Sequence, residues 1–130
     1  MRQLAYYRTT PEKTSTPRYE IYQRGSGIEF PLIEHGAYIL QYLEELGYCK
    51  SGFNGLVPLD FTEINAYMQS TSTELLPFEV LLLRKLSNAY VSQSYDKDVN
   101  AVPPYATVKK VGMSADAVKN AFAGIATINA

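Results

Sequence analysis

The sequence has no tryptophan, one cysteine (Cys49) and one histidine (His35) in 130 residues. A single cysteine excludes a disulfide framework within the chain, and one Cys with one His leaves no Cys/His zinc site. A reducing cytoplasm is the simplest setting for such usage. Long apolar runs are lacking too: the longest, residues 80–83, has four members, and Met1 is followed by Arg-Gln-Leu-Ala-Tyr-Tyr-Arg with no hydrophobic stretch. The expectation is neither signal peptide nor membrane span. Net charge is almost absent, at −1, which argues against a strongly basic nucleic-acid binder and against an acidic solvating chain.

What is present is enough for one folded domain. Leu, Ile, Val and Phe make up 33 residues, and Tyr adds 11. That clears the aliphatic and Phe content of roughly 20% below which chains usually stay disordered. The small net charge hides a split. Residues 1–28 carry five Arg/Lys against two Glu, residues 29–98 four against ten Asp/Glu, and residues 99–130 three against one. An acidic body lies between two basic arms.

The pattern predicts a mainly α fold, a compact bundle of three to four helices with extended N-terminal and C-terminal arms. Residues 1–28 are rich in Thr, Ser and Pro and close on Gly25-Ser26-Gly27, which reads as an arm, extended or partly ordered. In it Tyr19 and Ile21 alternate with polar neighbours as a short extended piece would. The body is expected over 29–98. Its first helix, about 31–46, places Phe30, Ile33, Ala37, Leu40, Leu43 and Leu46 on one face, with Pro31 in the first turn and Gly47 as the stop. Turn chemistry follows at Lys50-Ser51-Gly52-Phe53-Asn54-Gly55. A second helix, about 60–70, starts at an N-cap Asp60 with Glu63 three residues on and Ile64 inside. A third, about 77–94, opens on Pro77 with Glu79 in its first turn. Residues 99–130 read as a Pro-containing linker and a short terminal helix, with Ser114 as N-cap and Ala115, Val118, Phe122 and Ile125 at helical spacing. Such a helix needs something to dock on.

Catalytic signatures are missing from the sequence: no nucleophile elbow, Walker loop, His-Glu-x-x-His or dinucleotide fingerprint occurs. The expectation is a protein with no catalytic, cofactor-binding or metal-binding residues. His35 beside Glu34 reads as a structural histidine, Cys49 as a small apolar filler, and Glu44-Glu45 as a solvated helix face. A helix-turn-helix reading of the second and third helices fails on charge, because Arg84 and Lys85 lie in an acidic body. The third helix is apolar over more than half its circumference, which means either a central place in the core or an interface. Phe78, Leu82, Leu86 and Tyr90 are expected as its core spine.

The stretches Val57-Pro58-Leu59-Asp60-Phe61-Thr62-Glu63-Ile64-Asn65-Ala66-Tyr67, Leu76-Pro77-Phe78-Glu79 and Leu86-Ser87-Asn88-Ala89-Tyr90-Val91 resemble small proteins of the tail-assembly region of long-tailed bacteriophages, the tail assembly chaperones. The resemblance covers somewhat more than half of the chain, with Phe61 and Phe78 where that family often has tryptophan. It implies a non-catalytic binding protein that keeps the tape measure protein soluble while the tail tube assembles, in the host bacterial cytoplasm. A client of that kind would bind by helix-in-groove packing, and Tyr38, Tyr42, Tyr67 and Val80 are the candidate partner-binding surface. Tyrosine suits it, being broad, apolar and tipped with a hydroxyl. Two alternatives stand beside this one: a structural virion protein of the tail or neck, and a small phage effector that inhibits a host protein. The expected partners are tail or host proteins, with self-association through the basic arms, and neither nucleic acid nor membrane.

Overall fold

A computed structural model describes residues 1–105; the C-terminal helix expected near Ser114 lies outside the described residues. The described chain is mainly helical: α1 (Arg2–Arg8), α2 (Arg18–Arg24), α3 (Ala37–Leu46), strands β1 (Lys50–Gly52) and β2 (Gly55–Val57), α4 (Phe61–Thr71) and α5 (Pro77–Ser94).

The acidic body is built on α3, α4 and α5, which share one aliphatic core of Ile39, Leu43, Leu59, Ile64 and Leu83. Local chemistry sets each helix. Asp60 caps α4 by accepting the N–H groups of Thr62 and Glu63, and the Glu63 side chain accepts the Asp60 N–H in return. This reciprocal box satisfies donors that a helix start leaves orphaned. Lys50 of β1 closes over it, 2.9 Å from Asp60 Oδ2 and 2.8 Å from Glu63 Oε1. Pro77 opens α5, where Glu79 Oε1 accepts the Leu76 N–H at 2.8 Å. Gly47, at φ 82°, ends α3 as the sequence requires, and the Gly47 and Tyr48 N–H groups return to Glu44 and Leu43 carbonyls.

Three features depart from the sequence reading. Helix α3 starts at Ala37, six residues later than expected, because Gly36 sits in the left-handed region at φ 80° and residues 31–36 are exposed. A first turn with nothing to pack on gains too little to form. Pro31 and His35 therefore belong to an irregular strap rather than a helix. The turn-forming residues 50–57 make a hairpin, with Lys50 opposite Val57, fastened to the end of α5 by Tyr95 Oη donating to Leu56 O at 2.6 Å. The buried line of α5 is Glu79, Leu83, Ser87, Tyr90 and Val91, not Phe78, Leu82 and Leu86. Phe78 is 58% exposed and Leu82 and Leu86 are half-buried at the edge of the core. Ser87 takes the place beneath, its Oγ donating to Tyr48 O at 2.7 Å and accepting the Leu59 N–H at 2.9 Å.

The N-terminal arm is helical, not extended. Helix α1 lies along α5 and α2 packs back on α1. Tyr6, Tyr7 and Tyr22 meet edge to face at 5.3–5.9 Å, and Phe30 joins at 5.7 Å from Tyr7. Tyr19 and Ile21, expected on a strand, ride the outside of α2. Arg18 is buried, its guanidinium 4.3 Å from the Tyr6 ring centre and donating to the carbonyls of Asp96 and Asp98 at 2.8 and 2.9 Å. The Tyr6 hydroxyl donates to Ala101 O at 2.7 Å. The arm thereby fastens the chain beyond α5, and its cations Arg18 and Arg8 face rings: Arg8 lies over Tyr48, which stacks on Tyr90.

Candidate functional site

The tyrosines proposed from the sequence converge. Tyr38 and Tyr42 are one turn apart on α3, so their side chains share a face, and the packing of α4 on α3 brings Tyr67 beside them. Ring centroids are 6.0 Å apart for Tyr38 and Tyr42 and 6.1 Å for Tyr42 and Tyr67, at interplanar angles of 86° and 64°. That edge-to-face geometry suits the ring quadrupoles. Both ends of the row are tied to carboxylates. The Tyr67 hydroxyl donates to Glu45 Oε2, so Glu45 is part of the surface rather than a free acid. Burial, and then this hydrogen bond, push the Tyr67 hydroxyl above its ordinary pKa. Tyr38 is raised as well, chiefly by its hydrogen bond to Glu79.

Val80 is not in that row. It lines a neighbouring groove between α4 and α5, about 470 Å³ in volume, with Phe61, Ile64, Asn65 and Met68. Large apolar side chains are exposed at the wall of this groove and about the start of α5. Phe61 is 52% exposed, Phe78 58%, Leu81 57% and Leu76 59%. Arg84 lays its guanidinium 4.2 Å from the Phe61 ring centre, so the cation covers one face of the ring. Phe78 and Leu81 share the outer stripe of α5 with Lys85 between them, as a 100° step per residue dictates. One signal for this was already in the sequence: more than half of the circumference of α5 is apolar, more than one set of neighbours covers.

The residues weighed for chemistry are apart from one another. His35 is exposed in the strap, Cys49 is partly buried beyond α3, where burial raises its thiol pKa, and Glu44 faces a cleft on the far side of Glu45. Among the described residues no cluster of His, Cys, Asp and Glu has the makings of a metal site, and no helix is long and apolar enough to cross a membrane. What the arrangement offers is contact: a row of three phenols, a groove beside it and a band of exposed Phe and Leu. No protein-family model matches the chain, and no curated protein and no solved structure is significantly similar to it.

Proposed function

We propose that the protein is a phage tail assembly chaperone, a non-catalytic binder that holds a long helical client such as the tape measure protein soluble in the host bacterial cytoplasm until the tube assembles. One observation carries the reading. Phe61 and Phe78, which lie in the stretches that bear the resemblance, are 52% and 58% exposed instead of filling the core, and Phe61 lines an open groove. Large apolar side chains exposed together, with polar groups at their margin, are what an amphipathic client helix needs to dock. The three helices α3, α4 and α5 act as its platform.

The groove supplies depth through Val80 and Met68, and the phenol row beside it supplies hydroxyls. The test is co-purification with the tape measure protein encoded in the same phage. Phe78→Asp and Leu81→Asp, both on exposed positions, are expected to abolish capture while far-ultraviolet circular dichroism stays unchanged. Capture by both variants at the level of the unaltered chain refutes the surface, and stoichiometric recovery of the protein from purified particles refutes the chaperone role.

A further inference from the structure

A second apolar opening lies away from the groove. It is a cleft of about 280 Å³ between the start of α1, the exposed side of α3 and the strap ahead of it, lined by Met1, Leu4, Phe30, Ile33 and Leu40, with Glu44 at its edge. Phe30 and Ile33 are 54% and 46% exposed, although the strap that carries them is held down by Gln3 Nε2 donating to Glu29 O at 2.9 Å and by the Tyr7–Phe30 ring contact. Two large side chains are thus fixed in place with their apolar faces outward, a costly arrangement unless something covers them.

We infer that this cleft seats the chain's own C-terminal segment, with Val118, Phe122 and Ile125 entering it. Three observations single out this occupant. The described chain ends next to the cleft: the Tyr105 N–H donates to Gln3 Oε1 at 2.9 Å, and Gln3 lines both the cleft and the adjoining opening that Pro104 and Tyr105 line. The residues that follow, 106–130, carry an apolar stripe at helical spacing, Ala115, Val118, Phe122 and Ile125, which matches a cleft whose lining is almost wholly apolar. The short stretch from Tyr105 to Ser114 is ample to span the opening, since an extended chain covers about 3.3–3.6 Å per residue. The signs also agree. The segment brings Lys109, Lys110 and Lys119 against one Asp116, and Glu44 lies at the cleft's α3 side.

Docking there would close a ring, because α1 and the segment after α5 are already joined through Tyr6, Arg18 and Gln3. It also leaves the α4–α5 groove open, so the tail and the proposed client do not compete. The experiment is hydrogen exchange on the full-length chain, unaltered and with Val118→Asp and Phe122→Asp together, at two protein concentrations. Amides of residues 30–40 are expected to exchange at least about tenfold faster in the double variant, at both concentrations, with the Leu83 region unaffected. A carbodiimide, which joins an amine to a carboxylate in direct contact, is expected to link Lys119 to Glu44 within single chains of the unaltered protein. Equal exchange of residues 30–40 in both chains overturns the inference. So does protection that appears only at the higher concentration or cross-links between chains, both of which would put a second copy's tail in the cleft, and so does protection moved to α4 and α5.

Discussion

Around Leu43 and Leu83 the chain packs aliphatic side chains from three helices against one another, whereas around Tyr6 and Arg18 it packs rings and a guanidinium against backbone carbonyls. The first arrangement is non-directional: any side chain of suitable volume contributes in proportion to the area it buries. The second is directional. Arg18 fits because the Asp96 and Asp98 carbonyls converge on it, and Tyr6 because its hydroxyl reaches both Tyr22, at 2.9 Å, and Ala101. A region of the first kind tolerates substitution and fails as a whole, while one of the second kind fails locally, at the segment whose carbonyls lose their donor.

Breaking the aliphatic side has the largest expected effect. Leu83→Ala removes a fully buried side chain at the centre of the cluster and is expected to cost about 2–5 kcal/mol, measured as a lower midpoint in urea with all probes moving together. A loss under about 1 kcal/mol would mean that the helices are not held by this core, since even a Val-for-Ile change in a core costs about that much.

Breaking the polar side is expected to be smaller and confined. Arg18→Met keeps the length of the stem and the contact with the Tyr6 ring but takes the guanidinium donor from the carbonyls of Tyr6, Asp96 and Asp98, of which Tyr6 O keeps the Thr9 N–H and Asp98 O the Ala101 N–H. An unpaired buried group costs about 1–3 kcal/mol, moderated where water reaches Asp96 and Asp98. Hydrogen exchange is the measurement: residues 96–105 lose protection while Ile39 and Leu83 keep theirs. Loss of protection across both regions would show that the two form one cooperative unit.

The same contrast explains what was legible in the sequence. Periodicity and caps lead to Pro77, Gly47 and the Asp60–Glu63 box, because those signals are local and their physics is complete within a turn or two of chain. The face of α5 was misread because two of its buried positions are Glu79 and Ser87. A hydrophobic count turns those outward, and only the Tyr48 and Leu59 backbone groups that meet Ser87 explain its burial. That error placed Phe78 inside and concealed half of the candidate surface. The pairing of Tyr38 with Tyr42 follows from their spacing, but the arrival of Tyr67 depends on how α4 crosses α3. The tyrosine hub left no sequence signal: Tyr6, Tyr7 and Tyr22 form no aliphatic stripe, and Arg18 reads as a surface cation until carbonyls from a distant segment close on it.

The sharpest form of the comparison uses pH, because the two regions are expected to weaken at opposite ends of the scale. Tyr6 is raised well above its ordinary pKa, first by burial and then by its hydrogen bond to Tyr22. Its folded form therefore holds the proton that the unfolded chain gives up. This contribution is complete below about pH 10, the unfolded value for Tyr, and is lost as pH rises beyond it. Asp60 is the opposite case. Its hydrogen bond with Glu63, and next the Lys50 ammonium, hold its carboxyl well below the usual carboxylate range, so its contribution is present above about pH 4 and is lost as pH falls. Asp60 is exposed to solvent and the Lys50 bridge is open to salt, which makes this the smaller effect. Exchange of residues 96–105 is expected to quicken first in base, and exchange at the start of α4 first in acid, with Tyr6→Phe removing the alkaline limb and Asp60→Asn the acid one. Simultaneous loss at one end of the scale would mean that the hub and the capped helix are coupled, and that the division between a packed body and a hydrogen-bonded hub does not describe how this chain unfolds.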